Sequence, residues 1–584
     1  MSKMIAPAEY RPWLVQKYGG TSVGKLLNTI TESIIPKYLK DYNVAVVCSA
    51  RSSASKSAGT TNLLLRALAF AMSEHASWVE FDKVVDIIQN EHLLVAESLP
   101  NEGTFQLASN IIQQLRQDII RECKALRSFL RAARIIGEVS DRTQDKVLGV
   151  GEKLSCLIVS AALSLRGAEA EMVNLENIIQ IADKRSTREQ QAAYKHNPIL
   201  FLQGLREGVK DAILQCSVAG KIPVVTGFFG SMPYSLLSTV GRGYSDLCAA
   251  LCSVSLGAEE LQIWKEVAGI FTADPTKVST ARVLPMITLE EAVELTYYGS
   301  EVIHPLTMSL LNKEDVNLRL KNVRDPAGAG TVVYSTSSSP SPIHTPSSGE
   351  MDTSRSLLMV SNGYYGKELG KRVPTAITTK DEIALVNITS NGKLPPQAFL
   401  GQITSILGQH QLSIDLASSS RQSLSLAVST HGSANLSDSI EEVQSALEEF
   451  GSASIVLEMS IISVVGHKMK NMVGTAAEIF SALASARINI HQISQGASEI
   501  NISFVVRSQD ALLAMEVIHS KVMRIPGHAE REISFIRGKE TYITLSPSSM
   551  LIISRSMALL NTIFMPPLRM LWGINLGLCW KIPF

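Results

Sequence analysis

The feature that most restricts the fold is a repeat within the second half of the chain. "EIALVNI" at 382–388 returns as "EMSIISV" at 458–464, an offset of 76 residues. At that offset Leu407 falls on Leu483, Leu412 on Ile488 and Ile414 on Ile490, and "SLSLAV" (423–428) falls on "EINISF" (499–504). Each copy reads strand, helix, strand, strand, helix, and a closing strand fits after them. That is the βαββαβ order of a ferredoxin-like module. The expected modules cover residues 376–453 and 454–535.

The first half has a different rhythm. "VAVVCSA" (44–50), "IPVVTGFFG" (222–230) and "LQIWKEV" (261–267) are short and rich in β-branched residues, as buried strands are. Helical stretches separate them. In "SDLCAALCSVSLG" (245–257), Leu247, Leu251 and Val254 share a face, Ser245 can cap the start and Gly257 can end the helix. Alternation of this kind predicts an α/β domain over 13–330 with a largely parallel sheet, whose ligands sit at the carboxyl ends of the strands. "STSSSPSPIHTPSSG" (335–349) is nearly free of apolar residues and lies in an expected linker, 331–375.

Composition excludes some functions. The 584 residues carry 54 basic and 54 acidic side chains, so no global field favours nucleic acid or an anionic membrane. The seven cysteines form no CxxC, and Cys248 and Cys252 read as buried thiols on one helix. "MSKMIAPAEYRPW" has no apolar leader core, so a cytoplasmic protein is expected. The segment 536–584 is an atypical apolar tail. Pro566, Pro567 and Arg569 interrupt its longest apolar run, and membrane insertion is not expected.

Four clusters carry chemistry. "QKYGGTSVGK" (16–25) nearly spells a P-loop from Gly19 through Gly24 and Lys25, but Leu26 stands where a Mg²⁺-binding hydroxyl belongs. If 13–18 is a strand, Gly19 and Gly20 fall at its carboxyl end and Lys17 projects beside them. Such a turn can cradle phosphate through backbone N–H groups and the Thr21 and Ser22 hydroxyls, or it can be a surface turn. In "VGRGYSDLCAAL" (240–251), Arg242 between two glycines can clamp a carboxylate, and Asp246 opens a helix. Glu152 follows Gly149-Val-Gly151 and can pair with an ammonium group or stand exposed at a helix start. "WKEVAGIFTADP" (264–275) ends in a loop able to hold a base and ribose. His304, before Pro305, reads better as a turn residue than as a catalytic one. No catalytic-triad or metal-ligand spacing stands out.

Together these stretches resemble the aspartate kinase family, in its monofunctional fungal-like form. The motifs are "KYGGTSVG" (17–24), "VVCSARS" (46–52), "GEKLSC" (151–156), "TGFFG" (226–230), "GRGYSDLCAAL" (241–251), "WKEVAGIFTADP" (264–275), "ELTYYGSEVIHP" (294–305) and "ISQGASEINIS" (493–503). The resemblance runs from about residue 13 to about 535. It implies an amino-acid-kinase α/β/α sandwich followed by two ferredoxin-like ACT domains.

The resemblance also implies roles. Lys17 would contact the transferring phosphoryl group, and Asp246 would organise the phosphate-binding lysines. Gly19, Gly20, Thr21, Ser22, Lys265, Glu266, Phe271 and Asp274 would hold ATP, which enters with Mg²⁺. Thr61, Glu152, Phe228, Arg242 and Ser245 would hold L-aspartate. Asp415, Ser420, Gln495 and Asn501 would bind an effector, expected to be L-threonine, and ACT pairing implies a homo-oligomer. Three positions depart from the family pattern. Thr276 follows Asp274-Pro275 where arginine is frequent, Ala268 replaces Asp or Pro, and Arg421 stands where an acid is common. Three alternatives stay open: a kinase for glutamate or acetylglutamate, a fusion with homoserine dehydrogenase, and a non-catalytic amino-acid sensor. The tandem repeat argues against the first, the missing GxGxxG after the repeat against the second, and intact Lys17, Glu152, Arg242 and Asp246 against the third.

Overall fold

The computed structural model describes residues 11–525, apart from 53–58, 74–77, 100–104, 231–239, 299–302, 335–372, 431–435, 468, 470–471 and 497–499. The Ser/Pro-rich stretch and the apolar tail lie outside the described residues.

Eight strands form the first sheet: β1 (Trp13–Tyr18), β2 (Asn43–Cys48), β3 (Ala170–Val173), β4 (Ile222–Thr226), β5 (Glu260–Lys265), β6 (Met286–Thr288), β7 (Asn317–Asn322) and β8 (Thr331–Tyr334). Their order is β3-β4-β2-β1-β5-β7-β8-β6. Every described pairing is parallel except β7 with β8. β2 and β4 are continuous apolar runs because helices cover both faces, so neither face needs polar residues. β8 takes the first four residues of the expected linker, because Val332, Val333 and Tyr334 are apolar enough to be buried.

β1 lies at the centre, between β2 and β5, with Lys17 opposite Val47 and Ile263. Its carboxyl end is where the chain order on the sheet reverses, the place such folds leave open for ligands. One face packs on the helices Arg206–Val218 and Tyr244–Leu256. A separate apolar cluster joins the helices Thr60–Met72, Trp78–Glu97, Phe105–Ile136 and Asp141–Leu165. The last of these is long and apolar enough to cross a membrane by length and composition, yet 83% of its apolar window is buried in the protein.

The second sheet has the order β10-β11-β9-β12-β14-β13, from β9 (Ala376–Ser390), β10 (Ser413–Ser419), β11 (Ser423–Ser429), β12 (Gly451–Val465), β13 (Gln492–Ser494) and β14 (Asn501–Arg507). The repeat is visible in the backbone itself. Glu382 and Glu458 have φ of 57° and 56°, and Gln411 and Arg487 both have φ of 58°. These left-handed residues, uncommon for side chains other than glycine, recur at the offset of the sequence repeat. Helices Pro396–Gln409 and Leu436–Glu448 serve the first copy, and Thr475–Ser485 and Ser508–Lys521 the second.

The copies are interlocked. The first half of β12 pairs with the second half of β9, from Gly451 opposite Ser390 to Val456 opposite Leu385. The second half of β12 pairs with the start of β9, from Ile461 opposite Lys380 to Val465 opposite Ala376. The second copy is therefore closed not by a strand after its last helix, as expected, but by residues 376–380 at the start of β9, inside the span expected for the first copy.

Candidate active site

Lys17 and Asp246 meet at 2.6 Å, each side chain 8% exposed. The contact is a close ion pair and lacks hydrogen-bond alignment at Asp246 Oδ1. Lys17 comes from β1, and Asp246 from the first turn of Tyr244–Leu256. The turn after β1 explains its glycines. A Cβ at Gly20 would sit 2.1 Å from the Ala50 carbonyl oxygen, and one at Gly24 would sit 1.9 Å from that of Ser52. The glycines let this turn lie against the loop after β2, where the Ser52 amide donates to Gly20 O at 2.9 Å. The Gly20, Thr21 and Ser22 amides open the helix Gly20–Lys25, so the helix itself offers them no acceptor. Ser22 Oγ donates to Glu266 Oε1 at 2.7 Å, joining this turn to the end of β5.

Glu152 lies deeper, on the helix Asp141–Leu165, and is 0% exposed. Gly149 and Gly151 admit it. A Cβ at Gly149 would meet the Phe228 ring at 2.6 Å, and one at Gly151 would meet Ala50 Cβ at 2.9 Å. Among the described residues, no donor makes a well-formed hydrogen bond to either Glu152 oxygen. Burial pushes its carboxyl up to about 8, partly offset by the Tyr244 hydroxyl, Lys17 and the amides of Phe228 and Ala50. Those neighbours temper the burial penalty without satisfying the oxygens. A buried carboxylate short of donors costs stability unless a cation completes it.

The other sequence candidates fall into three groups. Phe228 is buried beside Gly149, and Ser245 Oγ lies 2.8 Å from Ser49 Oγ. Ser245 is not the helix cap expected from sequence: the helix starts at Tyr244 after Gly243, and the Ser245 hydroxyl turns to Ser49 instead. Thr61 follows Thr60 at the start of its helix, and the Thr60 amide donates to Arg51 O. Arg242 lies on the short turn Gly241–Gly243, and its side chain is outside the described residues. On the nucleotide side, Lys265 ends β5, and Phe271 bridges to Val283. Asp274 Oδ1 accepts from the Thr276 amide and hydroxyl at 2.9 and 2.7 Å, so Thr276 shapes this exposed loop. His304 caps the helix Pro305–Lys313 by accepting from the Leu306 amide at 3.2 Å, in keeping with a turn residue. Cys248 and Cys252 are buried free thiols.

The effector candidates are not drawn into one described pocket. Asp415 pairs with Lys380 at 2.7 Å, and Ser420 accepts from the Ser423 amide in an exposed hairpin turn. Asn501 donates to Glu294 Oε2 at 2.7 Å, and Gln495 is exposed. Sequence reasoning missed Tyr244 and Ser49. Both stand in quoted motifs, Tyr244 directly after Gly243 and Ser49 at the end of β2. Position at a strand end or helix start was the available signal.

A cavity of about 910 Å³ opens beside the ion pair. Lys17, Asp246, Lys265, Lys277, Tyr297 and Lys380 are among its lining residues. The volume suits a nucleotide-sized ligand, and the lysines suit anions.

The sheet order, the glycine turn after β1 and the buried lysine beside it define an amino acid kinase, and that family's model matches residues 12–322. The ACT domain model matches 462–522, within the second repeat copy. The aspartokinase of Saccharomyces cerevisiae is 41% identical over 527 residues, covering 88% of this chain and 95% of the relative. That of Candida albicans is 40% identical over 523 residues, covering 88% and 90%. The chain belongs to the aspartokinase family, and its activity is that of an aspartate kinase. Escherichia coli aspartokinase III, in a complex with lysine and aspartate, shares the fold at TM-score 0.64 and 24% identity, covering 87% of this chain and 99% of that one. Clostridium acetobutylicum aspartate kinase does so at 0.62 and 21%, covering 87% and 100%.

Proposed function

We propose that the protein transfers the γ-phosphoryl group of ATP, supplied with Mg²⁺, to the β-carboxylate of L-aspartate, yielding 4-phospho-L-aspartate and ADP. The observation that carries the assignment is Glu152, fully buried with both oxygens lacking well-formed hydrogen bonds, next to the Lys17–Asp246 pair. An amino-acid ammonium group supplies the missing donors. With the ammonium there and the α-carboxylate on Arg242, the β-carboxylate faces the phosphate turn. Aspartate is already anionic at neutral pH, so no general base is needed. One β-carboxylate oxygen attacks the γ-phosphorus, and the bond to the bridging oxygen breaks as ADP leaves. Lys17 and the Gly20–Ser22 amides offset the charge spread over the transferring group. Ser22 and Glu266 set the turn that holds the triphosphate, with Gly19, Thr21, Lys265, Phe271 and Asp274 on the nucleotide side.

The product is an activated carboxyl group, and the reading makes it the first step toward threonine and methionine through homoserine. L-Threonine is assigned as a feedback inhibitor acting through the ACT copies, which also pair between chains in a homo-oligomer. Hydroxylamine trapping of the acyl phosphate tests these assignments. Hydroxamate is expected with aspartate and not with glutamate, and added L-threonine should suppress it. Equal yields with glutamate would reject the substrate assignment, and full activity in L-threonine would reject the effector.

A further inference from the structure

The kinase sheet does not build the cavity alone. Thr379, Lys380, Asp381 and Glu382 of β9, with Ser429 of β11, line it too. The β9 segment is the point where the strand passes from pairing in one repeat copy to pairing in the other, marked by the left-handed Glu382. Lys380 is placed there with two neighbours. Its Nζ lies 2.7 Å from Asp415 Oδ1 and 5.7 Å from the Tyr297 ring centre. The Lys380 side chain is 28% exposed, while that of Asp415 is 1% exposed and its Oδ2 has no hydrogen-bond partner among the described residues. The chemistry described above leaves this cation unused. On the facing loop, Lys277 is tied to Asp381 at 2.7 Å.

We propose that Lys380, a residue of the repeat region, is a nucleotide-binding residue of the kinase, and that Asp415 competes with the ATP phosphates for it. The inference rests on the proposed kinase reading, with the nucleotide in this cavity beside Lys17 and Lys265. Lysine suits the exchange: its ammonium is a point charge on a flexible stem with three rotatable donors, able to leave one anion for another. A purely structural role makes a different forecast. If Lys380 served only as counter-ion to Asp415, losing either partner would disturb nucleotide binding in the same direction. If Asp415 restrains Lys380, losing the two partners has opposite effects.

The test is calorimetric titration of the full chain with a non-hydrolysable ATP analogue and Mg²⁺. Lys380→Met should weaken binding about five- to tenfold, the range of a partly exposed charge-assisted contact. Asp415→Asn, which keeps the shape, should tighten it about two- to fivefold by freeing Lys380. The double variant should follow Lys380→Met, and Lys380→Arg should stay near the parent. Thermal melting of each variant separates misfolding from altered binding. Folded single variants that shift in the same direction, or not at all, overturn the role of Lys380 and leave the cavity reading standing. A folded parent that binds no analogue overturns both.

Discussion

Replacing Glu152 by glutamine should raise stability and destroy aspartate affinity, and the two effects share one cause. The folded chain holds this carboxyl at about 8, against 4.5 for the free side chain. Between those values the folded state binds a proton that the unfolded state has released, so stability falls as pH rises through this window. At pH 7 the cost is about 3 kcal/mol. Glutamine keeps the shape without the charge, so Glu152→Gln should melt a few degrees higher at pH 7 to 8 and gain little near pH 4.5. Aspartate binding runs the other way. In the proposed binding mode its ammonium group needs the carboxylate, which is about 1% populated at pH 6 and half populated at pH 8. The KM for aspartate in the parent should therefore fall about fiftyfold from pH 6 to pH 8. Titrations at pH 6.5 in buffers of different ionisation enthalpy should show close to one proton released per aspartate bound. In Glu152→Gln the KM should be high and flat, and the proton release should vanish. A parent KM flat over this range with no proton release would refute the reasoning. So would a glutamine variant that melts lower at pH 8.

Three further changes follow from the site. Lys17→Ala should lower kcat at least about a hundredfold by removing charge stabilisation in the transition state, and should also lower the melting temperature because Asp246 is left buried and unpaired; steady-state kinetics and melting read the two effects separately. Gly20→Ala should raise the KM for ATP more than that for aspartate, since its Cβ would collide with the Ala50 carbonyl and push the turn off the loop after β2; a variant with parental KM values would contradict the packing. Asn501→Ala removes the partly buried bond to Glu294 between the second repeat copy and the helix Leu289–Tyr298. It should cost about 1 kcal/mol of stability and weaken the proposed response to L-threonine, both measurable by denaturant titration and inhibition curves.

Much of the kinase half was legible because its signals are local. Gly20 and Gly24 advertise a turn that must touch another backbone, and Gly257, with φ of 60°, ends its helix as expected. Lys17 could be placed beside that turn because one short strand fixes their spacing. The misses are non-local. Ser245 looked like a cap, since only the fold reveals that Ser49 lies 2.8 Å away. The contact between Asp415 and Lys380 is likewise hidden, since no spacing along the chain announces a lysine 35 positions earlier as its partner. The repeat gave the strand and helix order of both copies. It did not show that the start of β9 closes the second one, because pairing partners so far apart leave no periodic trace.

That interlocking dictates an order of assembly. A growing chain delivers residues 376–380 first, then the whole first copy, and only then residues 458–507. The second sheet must wait for its last strands while its first one stands idle. Folding of the first copy shortens the wait, because pairing Val456 with Leu385 already carries residues 380 and 461 toward their mutual register. A long loop thereby becomes a short one before closure is attempted, which lowers its entropic penalty. The first copy thus acts as a folding template for the second. A lesion confined to it should delay the burial of Ile462, Val464 and Phe504 in the second copy's apolar cluster.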